Sequence, residues 1–153
     1  MNETNVLPIA QKVSALLNLF HDLEQWEDRY KLIIQIGKDM PPMDSQFLAE
    51  EFKVKGCQSQ VWLHASLADN GRIHFQGESD AAITKGIIGM LLQIYNQATP
   101  EEVLSVSPDF LNQIGLRDHL SMNRSNGLTS MLKQINYYAL AFKIKLSMAK
   151  EGK

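Results

Sequence analysis

One sulfur nucleophile stands out in this sequence: among 153 residues there is a single cysteine, Cys57. A thiol alone in its chain cannot close an internal disulfide, and the usual zinc or cluster sites need several sulfur or imidazole donors. Cys57 is therefore either inert packing or one reactive atom. Most lone cysteines are small buried hydrophobes. Here Lys53 and Lys55 precede the thiol and Gln58, Ser59 and Gln60 follow it, a polar flank unlike a core position. Gly56 supplies the positive φ of a tight loop tip, which places Cys57 on a loop between two strands, where functional groups concentrate.

The chemistry open to such a group is thiolate attack, on a sulfur–sulfur bond or on a carbonyl. Carbonyl chemistry needs a base. His64, His74 and His119 are the histidines considered for that role, but no spacing ties any of them to Cys57 and no oxyanion hole is identifiable. Attack on a disulfide-type bond asks only for a fraction of thiolate. Lys53 and Lys55 are expected to lower the thiol pKa modestly.

The positioning elements can be read from apolar spacing. Val13, Leu16, Leu17 and Phe20 recur at helical intervals after residue 8, and residues 25–37 give a second helix, with Gly37 as its stop and Pro41-Pro42 beyond it. A short helix capped by Asp44 or Ser45 is expected through residue 51. The period then changes to two. Phe52 and Val54 predict a short strand before the Cys57 loop, and Val61, Leu63, Ala65 and Leu67 a longer one after it. Asp69-Asn70-Gly71 is a hairpin turn, and side-chain parity selects its form. A three-residue loop with Gly71 left-handed pairs Leu67 with Ile73 and Ala65 with Phe75, so the apolar row shares one face and Trp62, His64 and His74 share the other.

After the hairpin, a helix capped by Ser79 or Asp80 is predicted to reach about residue 97. Thr99-Pro100-Glu101-Glu102 and Ser107-Pro108-Asp109 open two short helices, the second ended by Gly115. A last helix is predicted from Ser125 or Asn126. Helices, then a small antiparallel three-stranded sheet, then more helices make an α+β domain. The chain reads as one domain over residues 1–153, with residues 1–8 and 150–153 loose.

The net charge of −2, with Lys and Arg scattered, gives no support to nucleic acid or an anionic membrane as the main partner. The apolar run at 86–92 is far short of the ~20 residues of a membrane span. Glu3 sits where a secretory signal would be positive, and an unpaired thiol suits a reducing compartment, so a cytoplasmic location is expected.

Four stretches together resemble the SufE/CsdE family of sulfur-acceptor proteins. They are Gln25-Trp26-Glu27-Asp28-Arg29-Tyr30, Gly56-Cys57-Gln58-Ser59-Gln60-Val61-Trp62, Gln76-Gly77-Glu78-Ser79-Asp80-Ala81-Ala82-Ile83-Thr84-Lys85-Gly86, and Asn123-Arg124-Ser125-Asn126-Gly127-Leu128. The resemblance implies a fold similar to U-type iron–sulfur scaffolds. It also implies a partner of a pyridoxal-phosphate cysteine desulfurase that takes a persulfide sulfur onto Cys57, stimulates the donor and passes sulfur to an iron–sulfur scaffold or another acceptor. Gly56, Gln58, Asp80 and Arg124 match positions expected to shape the loop or the docking site, and the resemblance implies that Arg124 adds to the lysines' modest lowering of the thiol pKa. For Asp80 a plain helix cap, and for Arg124 a loop salt bridge, are equally compatible. No cofactor or metal of its own is expected, since pyridoxal phosphate belongs to the desulfurase.

A carried persulfide needs shelter, so Cys57 is expected to fold inward onto Val61, Leu63 or Ile83. Residues 58–60 look closer to the SufE branch, and Ile114-Gly115-Leu116-Arg117 to the CsdE branch. Three rival readings are a U-type cluster scaffold, which lacks the cysteines, a thiol hydrolase, and a module that regulates a desulfurase by docking without carrying sulfur.

Overall fold

The computed structural model describes residues 7–151. The expected loose ends at 1–8 and 150–153 therefore fall mostly outside the described residues. Where they are described, Leu7 and Pro8 lead into the first helix and Lys150 lies within the last.

Helix α1 (Ile9–His21) is followed by α2 (Trp26–Asp39), two 3₁₀ turns (Ser45–Phe47 and Glu50–Phe52), strands β1 (Val61–Leu67) and β2 (Ile73–Ser79), and α3 (Ala82–Tyr95). Three short helices, α4 (Pro100–Ser105), α5 (Phe110–Ile114) and α6 (Leu116–His119), lead to the long α7 (Met122–Glu151). The mixed class is as expected.

The hairpin closes as parity requires. Ala68 and Arg72 flank Asp69-Asn70-Gly71, Gly71 has φ +80°, and Leu67 pairs with Ile73 and Ala65 with Phe75. Val61, Leu63, Ile73 and Phe75 are buried on the inner face. Gly77 continues that face against α3, where an added Cβ would stand 2.8 Å from Ile88 Cγ1.

The sheet has two strands rather than three. Residues 52–54 reach β1 only through a Lys53–Trp62 bridge and one Val54 N–H to Val61 C=O bond of 2.8 Å. A 3₁₀ turn occupies Glu50–Phe52, so the backbone is not extended where a third strand would start. The segment 44–51 likewise forms 3₁₀ turns instead of one helix, although Asp44 does accept the Gln46 N–H. On the outer face His64 is not solvent-facing: its ring stacks on Phe47 at 3.5 Å and meets Phe52 edge-on. His74 is exposed.

α3 is the central helix, buried through most of its length and crossed closely by α2. Gly37 does not end α2, which runs on to Asp39. It is buried at the crossing, where an added Cβ would lie 2.7 Å from Gly86 N, and one on Gly86 would collide with the Ile33 carbonyl. Two backbones approach here with no side chain between them.

Farther along, Thr99 and Glu102 form the predicted capping box, and Gly115 ends α5 with φ +86°. α7 starts at Met122, three residues before the expected Ser125. Its inner face, including Leu128, Met131, Ile135 and Ala139, joins a core shared with the sheet and the other helices.

Candidate functional site

The Cys57 loop lies between the 3₁₀ turns and β1 and is fastened along its length to the two elements that flank it. Gly56 has φ +88°, an angle that favours glycine, and a Cβ there would stand 2.6 Å from Ser130 Oγ on α7 and push that hydroxyl aside. The Cys57 thiol donates to the Gly127 carbonyl at 3.7 Å. Gly127 leaves room for the sulfur, because a Cβ on it would come within 3.3 Å of Sγ. Gln58 Oε1 accepts from Asn123 Nδ2 at 3.1 Å. Asn123, Gly127 and Ser130, at helical intervals of four and three, thus form a bed for three consecutive loop residues.

The far end of the loop is tied to the start of α3. Asp80 Oδ1 accepts the Gln60 N–H at 3.0 Å, and the Asp80 N–H donates to the Gln60 carbonyl at 3.2 Å. Asp80 is therefore not the cap of α3. Its carboxylate holds the loop. Ser79 is not the cap either: the N-cap position is Ala81, no side chain caps the helix, and the Ser79 hydroxyl accepts the Ala81 N–H just before it.

Cys57 opens onto a cavity of about 390 Å³ walled by Thr84 and Ile87 of α3 and Gly127 and Met131 of α7, with Asn123 and Arg124 at its rim. The sulfur turns toward Gly127 of α7 and into a cavity whose lining includes Thr84, Ile87 and Met131 but not the expected Val61, Leu63 or Ile83. The thiol is half-buried, and burial alone pushes its pKa up. This reverses the expectation that Lys53, Lys55 and Arg124 would lower it. Lys53 is turned away, paired with Glu50 at 2.9 Å and lying 5.9 Å from the Trp62 ring centre, and Lys55 is exposed. Arg124 is in the first turn of α7 rather than in a loop, exposed and with no ion pair among the described residues.

None of the three histidines serves the thiol. His64 is enclosed by Phe47 and Phe52, His74 neighbours Gln97, and His119 stacks on Trp26 at 4.2 Å with Nδ1 at 2.9 Å from the Gly115 carbonyl. No group of three His, Cys, Asp or Glu able to hold a metal occurs among the described residues. The arrangement presents one sheltered, neutral thiol on a loop pinned by a few hydrogen bonds.

Gly56, Cys57, Gln58 and Asp80 thus meet at one place with Arg124 on its edge. The bed formed by Asn123, Gly127 and Ser130 is not evident from sequence. The visible signal is a polar and glycine-containing opening to an otherwise apolar helix. Comparison with known proteins bears on what this loop belongs to. The family model described as the Fe-S metabolism associated domain, SufE, matches residues 14–139, which include the loop and its bed.

The chain belongs to the SufE family.

Curated relatives agree. The chain is 37% identical over 131 residues to the sulfur acceptor protein CsdE of Escherichia coli (strain K12), covering 84% of this chain and 89% of that protein. An uncharacterized SufE-like protein of Rhizobium meliloti (strain 1021) is 40% identical over 124 residues, 78% of this chain and 89% of the relative. SufE-like protein 1, chloroplastic/mitochondrial, of Arabidopsis thaliana is 34% identical over 134 residues, 88% of this chain but only 36% of that longer protein. The solution structure of a hypothetical protein from Thermus thermophilus superposes with a TM-score of 0.73 at 24% identity, covering 91% of this chain and 99% of that one. That likeness concerns the fold alone. No described helix is long and apolar enough to cross a membrane.

Proposed function

We propose that this SufE-family chain is a sulfur acceptor and carrier that takes sulfur onto Cys57 from the persulfide of a cysteine desulfurase and passes it to iron–sulfur cluster assembly. The observation that carries the reading is the single thiol of the chain resting on a purpose-shaped bed, with glycine at each point where a side chain would crowd the loop or the sulfur. Family membership and the name of the CsdE relative, a sulfur acceptor protein, support it.

The transfer is redox-neutral. The Cys57 thiolate attacks the outer sulfur of the donor persulfide, the donor's sulfur–sulfur bond breaks, and its thiolate leaves with the electron pair. Cys57 then bears the persulfide. With no second cysteine in the chain, that persulfide has no internal thiol to close onto as a disulfide. Removing the product from the donor stimulates its turnover. For attack, the loop lifts from α7, breaking the Gln58–Asn123 and Cys57–Gly127 contacts. On return the apolar walls of Ile87 and Met131 shield the carried sulfur from reductants. Pyridoxal phosphate is the donor's, and this chain works without a cofactor of its own. A thiol that must be free at the start of each cycle fits the reducing cytoplasm.

The test is incubation with a desulfurase and cysteine, followed by peptide mass analysis. The expected result is an increment of about 32 Da, one sulfur atom, on the peptide containing Cys57. Cys57→Ser should abolish both the increment and the stimulation of the desulfurase. Stimulation retained by Cys57→Ser would replace the carrier with a module that acts by docking alone.

A further inference from the structure

The helix that beds the Cys57 loop carries a second feature on the same face. Extending the four-three spacing of Asn123, Gly127 and Ser130 along α7 leads through Gln134 to Tyr137, Ala141, Ile144 and Met148. Tyr137, Ile144 and Met148 are 69%, 52% and 65% exposed, and Leu140 beside them is 49% exposed. The core face of α7 is the opposite one, so these side chains are not the edge of the buried stripe. Four large apolar side chains in line on a solvent face mark a contact surface.

Its electrostatics select the occupant. α7 holds five of the chain's fifteen Lys and Arg but one of its seventeen Asp and Glu. The basic residues are thus concentrated here, contrary to the scattered pattern read from sequence, while the rest of the chain is acidic. By helical angle Lys133 lies in line with the exposed stripe one turn before it, and Lys143 and Lys145 border it on opposite sides. Pairing with a second copy would set lysines against lysines, so a homodimer along this face is disfavoured. The stripe spans about 16 Å, enough for two to three turns of a partner helix, and begins about two turns from the bed of Cys57.

We propose that this stripe is a docking surface for the desulfurase that loads Cys57, and that the desulfurase covers it with an apolar patch bordered by Asp and Glu. The inference rests on the sulfur-acceptor reading. A partner held along Tyr137–Met148 lies on the face from which the loop lifts, so docking and delivery share one line along α7.

The experiment uses the full chain and a cysteine desulfurase, with affinity measured at two salt concentrations. Ile144→Glu should weaken binding about tenfold or more. The double variant Lys143→Glu/Lys145→Glu should weaken it further at low salt and flatten the salt dependence. Both substitutions are on exposed positions, and circular dichroism and thermal melting should match the unsubstituted chain. Loading of Cys57 by a low-molecular-weight persulfide, which needs no docking, should be unchanged in both. If the unsubstituted chain gains no sulfur from a desulfurase, the acceptor reading fails and the docking proposal falls with it. If it gains sulfur and Ile144→Glu binds and loads like the original, only the docking surface is overturned. Co-sedimentation with vesicles of anionic phospholipid that is lost in Ile144→Glu, with desulfurase affinity intact, would likewise overturn it in favour of a membrane contact.

Discussion

Burial raises the pKa of Cys57, and no neighbouring charge offsets it. The resting thiol is therefore held protonated, which suits a carrier that must ignore small electrophiles until a partner opens its loop. Alkylation of the free protein by iodoacetamide should be several-fold slower than that of the urea-unfolded chain at pH 8, with its pH midpoint higher than that of the unfolded chain. Equal rates and midpoints would mean that the sulfur is not sheltered at rest. The linked effect on stability follows in sign. A pKa raised on folding contributes stability that is complete below the unfolded value and is lost as pH rises through the folded one. Cys57→Ser should accordingly remove part of any loss of stability in the alkaline range. The thiol's place on a glycine-led loop was legible in sequence from its polar flank. Its electrostatics were not, because nothing local says that Lys53 turns to Glu50 and Trp62.

At the scale of elements, the loop is a strap with an anchor at each end, Gln58 on α7 and Gln60 on Asp80 in the junction between β2 and α3. Asp80→Ala removes the carboxylate that accepts the Gln60 N–H while leaving the backbone bond, so it should loosen the strap without unfolding the chain. Cys57 alkylation should quicken several-fold while the midpoint of urea unfolding moves by about 1 kcal/mol or less. Unchanged alkylation would assign Asp80 no part in holding the loop. Gly56→Ala acts differently, since the new Cβ meets both an unfavourable φ and Ser130. It should cost about 1–2 kcal/mol of stability, measured by urea unfolding, and displace the loop from its bed. The hairpin register was readable from parity alone, because a one-residue slip would expose an entire apolar row. The third strand and the stop at Gly37 failed for a shared reason. Two alternating residues do not outweigh a 3₁₀ turn, and a glycine that serves a helix crossing looks locally like one that ends a helix.

Across the molecule, the N-terminal helices are locked to the segment that leads into α7. Arg29 does this with one side chain. Its Nε donates to the Leu23 carbonyl at 2.6 Å, Nη1 to that of Ile114 at 2.5 Å and Nη2 to that of Phe20 at 3.3 Å, gathering the ends of α1 and α5 at the start of α2. Trp26, one turn earlier, stacks on His119 of α6, which accounts for both residues being aromatic. The Gln25–Tyr30 stretch carried a family signal in sequence, yet its purpose was invisible there, because Ile114 and His119, which tie it to α5 and α6, are far away along the chain. Arg29→Met keeps much of the stem's packing but removes all three donors from partly buried carbonyls. It should destabilise the fold on the order of 2–3 kcal/mol, read as a lower urea midpoint with an unchanged slope. Arg29→Lys should recover little, since one ammonium cannot span three carbonyls set for a planar fork. This loss should be global, unlike that at Asp80. In water, where both variants stay folded, Cys57 alkylation in Arg29→Met should match the unsubstituted protein, diverging only as denaturant populates the unfolded chain. Faster alkylation without denaturant would mean that the lock at Arg29 reaches the sulfur loop through α5, α6 and the first turn of α7 in the native state.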